Sequence, residues 1–174
     1  MHYSLRICSA SSGKFRGFAD TAIWQYRFCH MAKTGEAEVS NLLGGRKVLG
    51  GISEAAGFVA AVRAGLPFAS LEALSAALGA DLGSVGNVVG IAPRTLARRK
   101  LEKHLSPIES DRLYRVAYVL HLTASTLGGL EKARLWLQRP NRSLGGIAPL
   151  SLLDTEIGER KVEEVLLQIS HGIH

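Results

Sequence analysis

One segment restricts the fold more than any other. Ser106-Pro107-Ile108-Glu109 opens it and Gly128-Gly129 closes it. A Ser at the cap accepts a backbone N–H, Pro sits where a helix start needs no N–H, and Glu three residues after the cap returns the bond. Between those marks Leu113, Val116, Ala117, Leu120, Ala124 and Leu127 recur at helical spacing, and Tyr118, Val119 and Leu122 widen the stripe. The spacing predicts a helix over 107–127. It is apolar around so much of its circumference that it must be covered on two sides. A second copy of the chain would supply such cover, so a homodimer buried largely through this helix is expected. No segment alternates apolar and polar residues between turn pairs, and the fold class is therefore all-α.

The remaining helices follow from local start and stop signals. Ser53 caps a helix to Ala64 that Gly65 and Pro67 stop. Ser70 caps one with Leu71, Leu74, Ala77 and Leu78, ended by Gly79. Asp81 caps a third with Leu82, Val85 and Val89, ended by Gly90. Pro93 begins a fourth, behind the poor cap Ala92. A short helix runs from Leu130 to Gln138, with Leu135, Trp136 and Leu137, and Arg139-Pro140-Asn141 breaks it. The last helix spans Glu156 to Ser170, with Val162, Val165, Leu166 and Ile169 on one face, and Gly172 closes it.

Residues 1–52 read differently. Residues 1–30 hold both cysteines and six of the eleven aromatic residues, without the apolar core of a secretory signal. Met31-Ala32-Lys33-Thr34 resembles a fresh start, which makes Met31 a possible true start. Residues 32–52 contain Gly35, Gly44, Gly45, Gly50 and Gly51 and read as a mobile arm, so 1–52 is expected to be a flexible N-terminal extension. The stretch Gly44 to Gly51 lacks the Gly-Lys-Ser/Thr ending of a phosphate loop. The length of 174 residues allows one domain or two small ones. Two cysteines cannot frame a disulfide scaffold, and no apolar run is long enough for a membrane. A cytoplasmic location is expected. The formal net charge is +6, half of which lies in residues 1–30.

The helix pair at 81–103 carries the most specific chemistry. Two short helices joined at Gly90, with Gly86 at the crossing, have the pattern of a DNA-binding helix-turn-helix. Val85, Val89, Ile91 and Leu96 would hold the pair together. The second helix would turn Arg94, Thr95, Arg98 and Arg99 outward, with Lys100 and Lys103 beyond. Residues 93–104 hold five basic residues and one acid, Glu102. Such a helix can place Arg against guanine in the major groove and neutralise phosphates farther along. Arg99 stands where an apolar residue often packs, and Ala97, Leu101 and Leu105 are expected to take over that packing. The other reading of the same residues is a solvated basic helix in an all-α bundle.

Catalytic arrangements are absent from the pattern. The histidines share no metal-ligand spacing, so no metal and no cofactor is expected. His121, within the long apolar helix, reads as a packed or interfacial histidine. There is no Gly-x-Ser-x-Gly elbow and no dinucleotide fingerprint.

The segment Arg139-Pro140-Asn141-Arg142-Ser143-Leu144-Gly145-Gly146-Ile147-Ala148-Pro149-Leu150-Ser151-Leu152-Leu153-Asp154-Thr155 leads into Gly158, Val162, Leu166, Ile169 and Gly172-Ile173. It closely resembles the toxin-binding domain of the Xre/MbcA/ParS-type antitoxins, and the resemblance extends over Ser53 to His174. Ala148 departs from it, because similar proteins often carry a hydroxyl residue there. The resemblance implies an Xre-like helix-turn-helix domain at 53–105, followed by a helical dimerisation and toxin-binding domain at 106–174. It implies the antitoxin component of a type II toxin–antitoxin system. Such a protein is not an enzyme. It blocks the active site of a RES-domain, NAD-degrading toxin and represses its own operon by binding operator DNA. The toxin-binding residues so implied are Leu144, Gly145, Gly146, Pro149, Leu153, Ile169, Gly172, Ile173 and His174. Two other readings stand beside this one: a helix-turn-helix transcriptional regulator whose C-terminal domain binds another protein, and a small helical enzyme.

Overall fold

The computed structural model describes residues 35–52 and 55–172, and these belong to one compact unit, Lys33–His174. Residues 1–34, with Met31, lie outside the described residues, as do Ser53 and the terminal Ile173 and His174. The described chain is helical: α1 (35–42), α2 (Gly45–Leu49), α3 (Ala55–Ala64), α4 (Phe68–Leu78), α5 (Leu82–Val89), α6 (Pro93–Glu102), α7 (Pro107–Leu127), α8 (Leu130–Gln138), a 3₁₀ turn (Arg142–Leu144), α9 (Pro149–Leu152) and α10 (Glu156–Ser170).

Helix α7 is the axis of the unit, and its ends are set by the residues that predict them. Ser106 Oγ accepts from Glu109 N at 3.3 Å, and Glu109 Oε2 accepts from Ser106 N at 2.7 Å, which completes the capping box. Gly128, in the left-handed conformation, ends the helix. Leu113, Val116, Ala117, Val119, Leu120 and Thr123 are buried along it. The cover comes from within the chain. Helices α3, α4, α5, α8 and α10 all pack on α7, and the rings of Phe58 (α3) and Tyr114 (α7) lie 5.1 Å apart. Leu113, Val116, Ala117 and Leu120 of the stripe that suggested a dimer are therefore covered inside one chain. Each fully buried leucine contributes about 2 kcal/mol relative to an exposed one.

Residues 35–52 correct the expectation of a mobile arm. Val39 on α1 and Leu43 just after it are fully buried, and Leu49 on α2 is nearly so. The glycines at 44, 45, 50 and 51 are the breaks between short helices rather than a sign of a free segment. The α1 backbone reaches α7 at Gly35, where an added Cβ would lie 3.2 Å from His121 Nε2. His121 is packed there, with its Nε2 buried and without a partner among the described residues. Burial holds its imidazole below the usual histidine range, against the opposing pull of Glu38.

Helix α4 also starts differently from its sequence signal. It begins at Phe68, and Ser70 lies inside it with a buried hydroxyl rather than at the cap. The start is set by tertiary pairing: Phe68 N donates to Lys103 O, and Leu105 N donates to Leu66 O, both at 2.9 Å. This short antiparallel bridge joins the head of α4 to the end of α6. Ser110 on α7 closes the junction, accepting from Leu66 N at 2.8 Å.

Candidate DNA-contacting and partner-binding surfaces

Helices α5 and α6 form the expected pair. Asp81 caps α5 by accepting from Ser84 N at 2.9 Å. Gly90 ends it at φ 81°, a left-handed conformation that favours glycine, and a Cβ there would require the Arg112 guanidinium to shift. Pro93 begins α6, and Ala92 supplies no side-chain cap. Val85 and Val89 are fully buried, Ile91 is 2% exposed, and Leu96 packs against that cluster beside Gly86.

The cations of α6 divide into two kinds. Arg94 and Arg98 are exposed on its outer face, with Thr95 half-buried beside them. Lys100 and Lys103 are exposed at another edge. Arg98 approaches Glu102 only at 3.6 Å, between two solvated side chains, a pairing worth well under about 1 kcal/mol. Arg99 departs from the outward orientation that its position suggests. Its side chain is 19% exposed, its Nε donates to Glu109 Oε2 at 2.8 Å, and its Nη1 donates to Glu102 at 2.7 Å. Burial alone would raise the Glu109 carboxyl. The Ser106 N–H and the Arg99 guanidinium outweigh burial and hold it below its ordinary range. Arg99 thus locks the recognition-type helix onto the capping box of α7 and is not free for a partner. Leu101 takes no part in this packing, being 84% exposed, whereas Leu105 is buried as expected.

Two further arginines satisfy helix-end carbonyls, one on α5 and one on α4. Arg112 on α7 donates to Val89 O at 3.3 Å, at the C-terminus of α5. Arg134 on α8 donates to Ala77 O, and Gln138 donates to Leu78 O at 2.7 Å, satisfying the last carbonyls of α4.

In the C-terminal part the conspicuous motif residues are structural. Asn141 caps the 3₁₀ turn by accepting from Ser143 N at 2.9 Å and pairs its backbone with Ile147. Leu144 closes that turn from inside and is 8% exposed. Gly145 and Gly146 follow at φ 68° and 80°. Pro149 begins α9 and is buried, and Leu153 is 3% exposed. Thr155 caps α10, and a Cβ on Gly158 would collide with Leu152 O, so α10 approaches α9 closely. Leu144, Pro149 and Leu153, implied as partner contacts, are therefore core residues that present no side chain outward. Ile169 is half-buried, while Gly145, Gly146 and Gly172 are exposed.

Helix α10 is tied to α7 through Arg115, which donates to Glu159 at 2.9 Å. Burial pushes the Glu159 carboxyl up in spite of that partner.

Two models of known families match successive parts of this chain. One is the antitoxin Xre-like helix-turn-helix domain, over residues 57–118. The other is the antitoxin Xre/MbcA/ParS C-terminal toxin-binding domain, over residues 122–172. The chain belongs to the Xre-type antitoxins. Relatives named Antitoxin Xre agree. That of Pseudomonas putida is 39% identical over 80 residues, covering 45% of this chain and 50% of the relative. That of Photorhabdus laumondii is 37% identical over 93 residues, covering 52% and 63%. That of Yersinia enterocolitica is 35% identical over 86 residues, covering 48% and 58%. The chain spans between half and just under two-thirds of the length of the curated relatives it matches. Xre-type antitoxins are non-enzymatic regulators, which sets aside the small helical enzyme. No described helix is long and apolar enough to cross a membrane.

Within the toxin-binding region of this Xre-type antitoxin, sequence reasoning missed one surface. Leu127, Leu135, Trp136 and Pro140 line an open groove of about 340 Å³ between α8 and the end of α7, with Lys132 and Arg139 at its edges. Leu135 is 53% exposed. The signal was present: in the run Leu135-Trp136-Leu137, three successive residues cannot share one helix face. Leu137 is buried, so its neighbours turn toward the groove. Ile147, Ile157 and Leu167 are further exposed apolar side chains of the same region.

Proposed function

We propose that this antitoxin neutralises a cognate RES-domain, NAD-degrading toxin by covering its active site, and that it represses its own operon through α5 and α6. The observation that carries the reading is the placement of both matched regions in one unit, with Arg94, Arg98, Lys100 and Lys103 exposed on the first. Antitoxin action and DNA binding both belong to the cytoplasm, where operator and NAD reside. The working division of the chain is DNA contact before residue 105 and toxin contact after it. The candidate toxin contacts are now the exposed Gly145, Gly146, Ile147 and Gly172, the half-buried Ile169, and the residues 173–174 that follow. Homodimerisation on a symmetric operator would have to use a surface other than the α7 stripe, such as that around the exposed Ile108.

Truncation tests the toxin half. A chain lacking Ser170 to His174 is expected to fold and to bind DNA, because the groups that do so lie upstream. It should protect cellular NAD poorly when co-expressed with a cognate RES-domain toxin. Full NAD protection by the truncated chain would remove the C-terminal end from the mechanism. Absence of any NAD loss from the toxin alone would favour the other reading, a transcriptional regulator with a different protein partner.

A further inference from the structure

A second basic surface lies outside the outer face of α6. Helix α2, the head of α4 and the end of α6 enclose an open cleft of about 480 Å³. Lys47, Lys100, Lys103 and His104 line it, and Glu72 is the one carboxylate among its lining residues. Three ammonium groups thus face one carboxylate. The first turn of α4 also opens into the cleft at Pro67, Phe68 and Ala69, with no side-chain cap on it. Lys103 O takes the Phe68 N–H, and the helix start adds a partial positive charge to that of the lysines.

Lys103 adds a separate observation. It is the only non-glycine among the described residues with positive φ, at 62°. Helix ends in this conformation usually carry Gly or Asn. Here the position keeps an ammonium at the cleft, while its carbonyl holds the head of α4. On α6, Ala97 and Leu101 lie between Lys100 and the Arg94/Arg98 face, and all five residues are exposed. The cleft is therefore continuous with the outer face of the helix. Lys47 comes from the segment before residue 57, outside the matched helix-turn-helix region.

We propose that this cleft holds the phosphodiester backbone of one DNA strand alongside the groove that α6 enters, with Lys47, Lys100 and Lys103 neutralising phosphates. The proposal rests on the DNA-binding reading above. A strand flanking the major groove runs beside a docked helix, so cations at the edge of α6 meet phosphates rather than bases. Backbone contacts carry no sequence information, and a random-sequence duplex therefore reports them.

The test is fluorescence anisotropy of a labelled random-sequence duplex across a salt series, with the full chain. Lys47→Gln and Lys103→Gly are each expected to lower the slope of log K against log salt by about 0.9, the loss of one phosphate contact. Lys103→Gly should do so without lowering the melting temperature, because glycine takes the left-handed conformation freely. Lys132→Gln, on α8, should leave the slope unchanged. Unchanged slopes for Lys47→Gln and Lys103→Gly, beside a lowered slope for Arg98→Ala, would overturn the cleft and leave the DNA-binding reading standing. An equal fall for Lys132→Gln would mean that only net charge is sensed, and would overturn it too. No binding by the unmodified chain, or no change with Arg94→Ala and Arg98→Ala, would overturn both.

Discussion

Arg98 and Arg99 are neighbours of the same type, and the structure assigns them opposite consequences. Replacing Arg99 by Ala removes the 2.8 Å bond to Glu109, whose side chain is 12% exposed, and the 2.7 Å bond to Glu102, whose side chain is 44% exposed. The first is a charge-assisted bond in a shielded place and contributes about 1.5–3 kcal/mol. The second is an exposed i,i+3 pair worth about 0.3–0.5 kcal/mol. Arg99→Ala should therefore cost about 2–3 kcal/mol. For a unit of this size that is a fall of roughly 6–12 °C in melting temperature. Arg98→Ala breaks only the 3.6 Å solvated contact and should stay within about 0.5 kcal/mol of the unmodified chain. Salt dependence of DNA binding should show the reverse order. Arg98→Ala is expected to lower the slope by about 0.9, and Arg99→Ala, measured well below its melting point, to leave it unchanged. Urea unfolding of Arg99→Ala, Glu109→Ala and the double variant should show a coupling above about 1 kcal/mol. A coupling near zero, with a lowered salt slope for Arg99→Ala, would refute the assignment and return Arg99 to the DNA face.

Two further outcomes follow from the core and from the buried carboxylates. Leu120→Ala should cost about 2–5 kcal/mol in urea unfolding without changing the oligomeric state seen by light scattering, because the Leu120 side chain is covered within its own chain. A clean shift of assembly at unchanged stability would restore α7 as an interface. Glu109 is held below its ordinary value near 4.5 in the folded chain. Its contribution is present above the unfolded value and is lost as pH falls through the folded one. Unfolding midpoints of the unmodified chain should therefore drop below about pH 4.5 more steeply than those of Glu109→Gln. Parallel acid limbs would remove Glu109 from the junction's energetics.

What could be read in the sequence was whatever is decided locally. The capping box of α7, the Asp81 cap, the Pro93 start and the Gly90 turn each involve groups within four residues, and all stand where the sequence places them. Interactions over longer distances were not legible. Ser70 looks like a cap, but the head of α4 is fixed by Lys103, a residue far along the chain. Arg99 looks like a surface cation, and only its distance to Glu109 shows otherwise. Val39 and Leu43 are spaced for one helix face, yet the glycines around them read more strongly as a free arm. In the C-terminal motif, Leu144, Pro149 and Leu153 stand out because the local turn and helix need them inside, so their visibility says nothing about contact with a partner. The groove at Leu135 and Trp136 carries a weaker pattern and more exposed apolar surface.

The seam between the two matched regions falls at residues 119–121, inside α7, where Val119 and Leu120 are fully buried. A chimera spliced there would join two half-helices and cut a core that both sides share. A toxin-binding part moved to a new DNA reader must bring all of α7 with it. It must also bring a substitute for the Arg99 that grips Glu109 and for the α4 carbonyls that Arg134 and Gln138 hold. Recombination at the family boundary would cut α7 in two, whereas a crossover ahead of Ser106 keeps that helix whole.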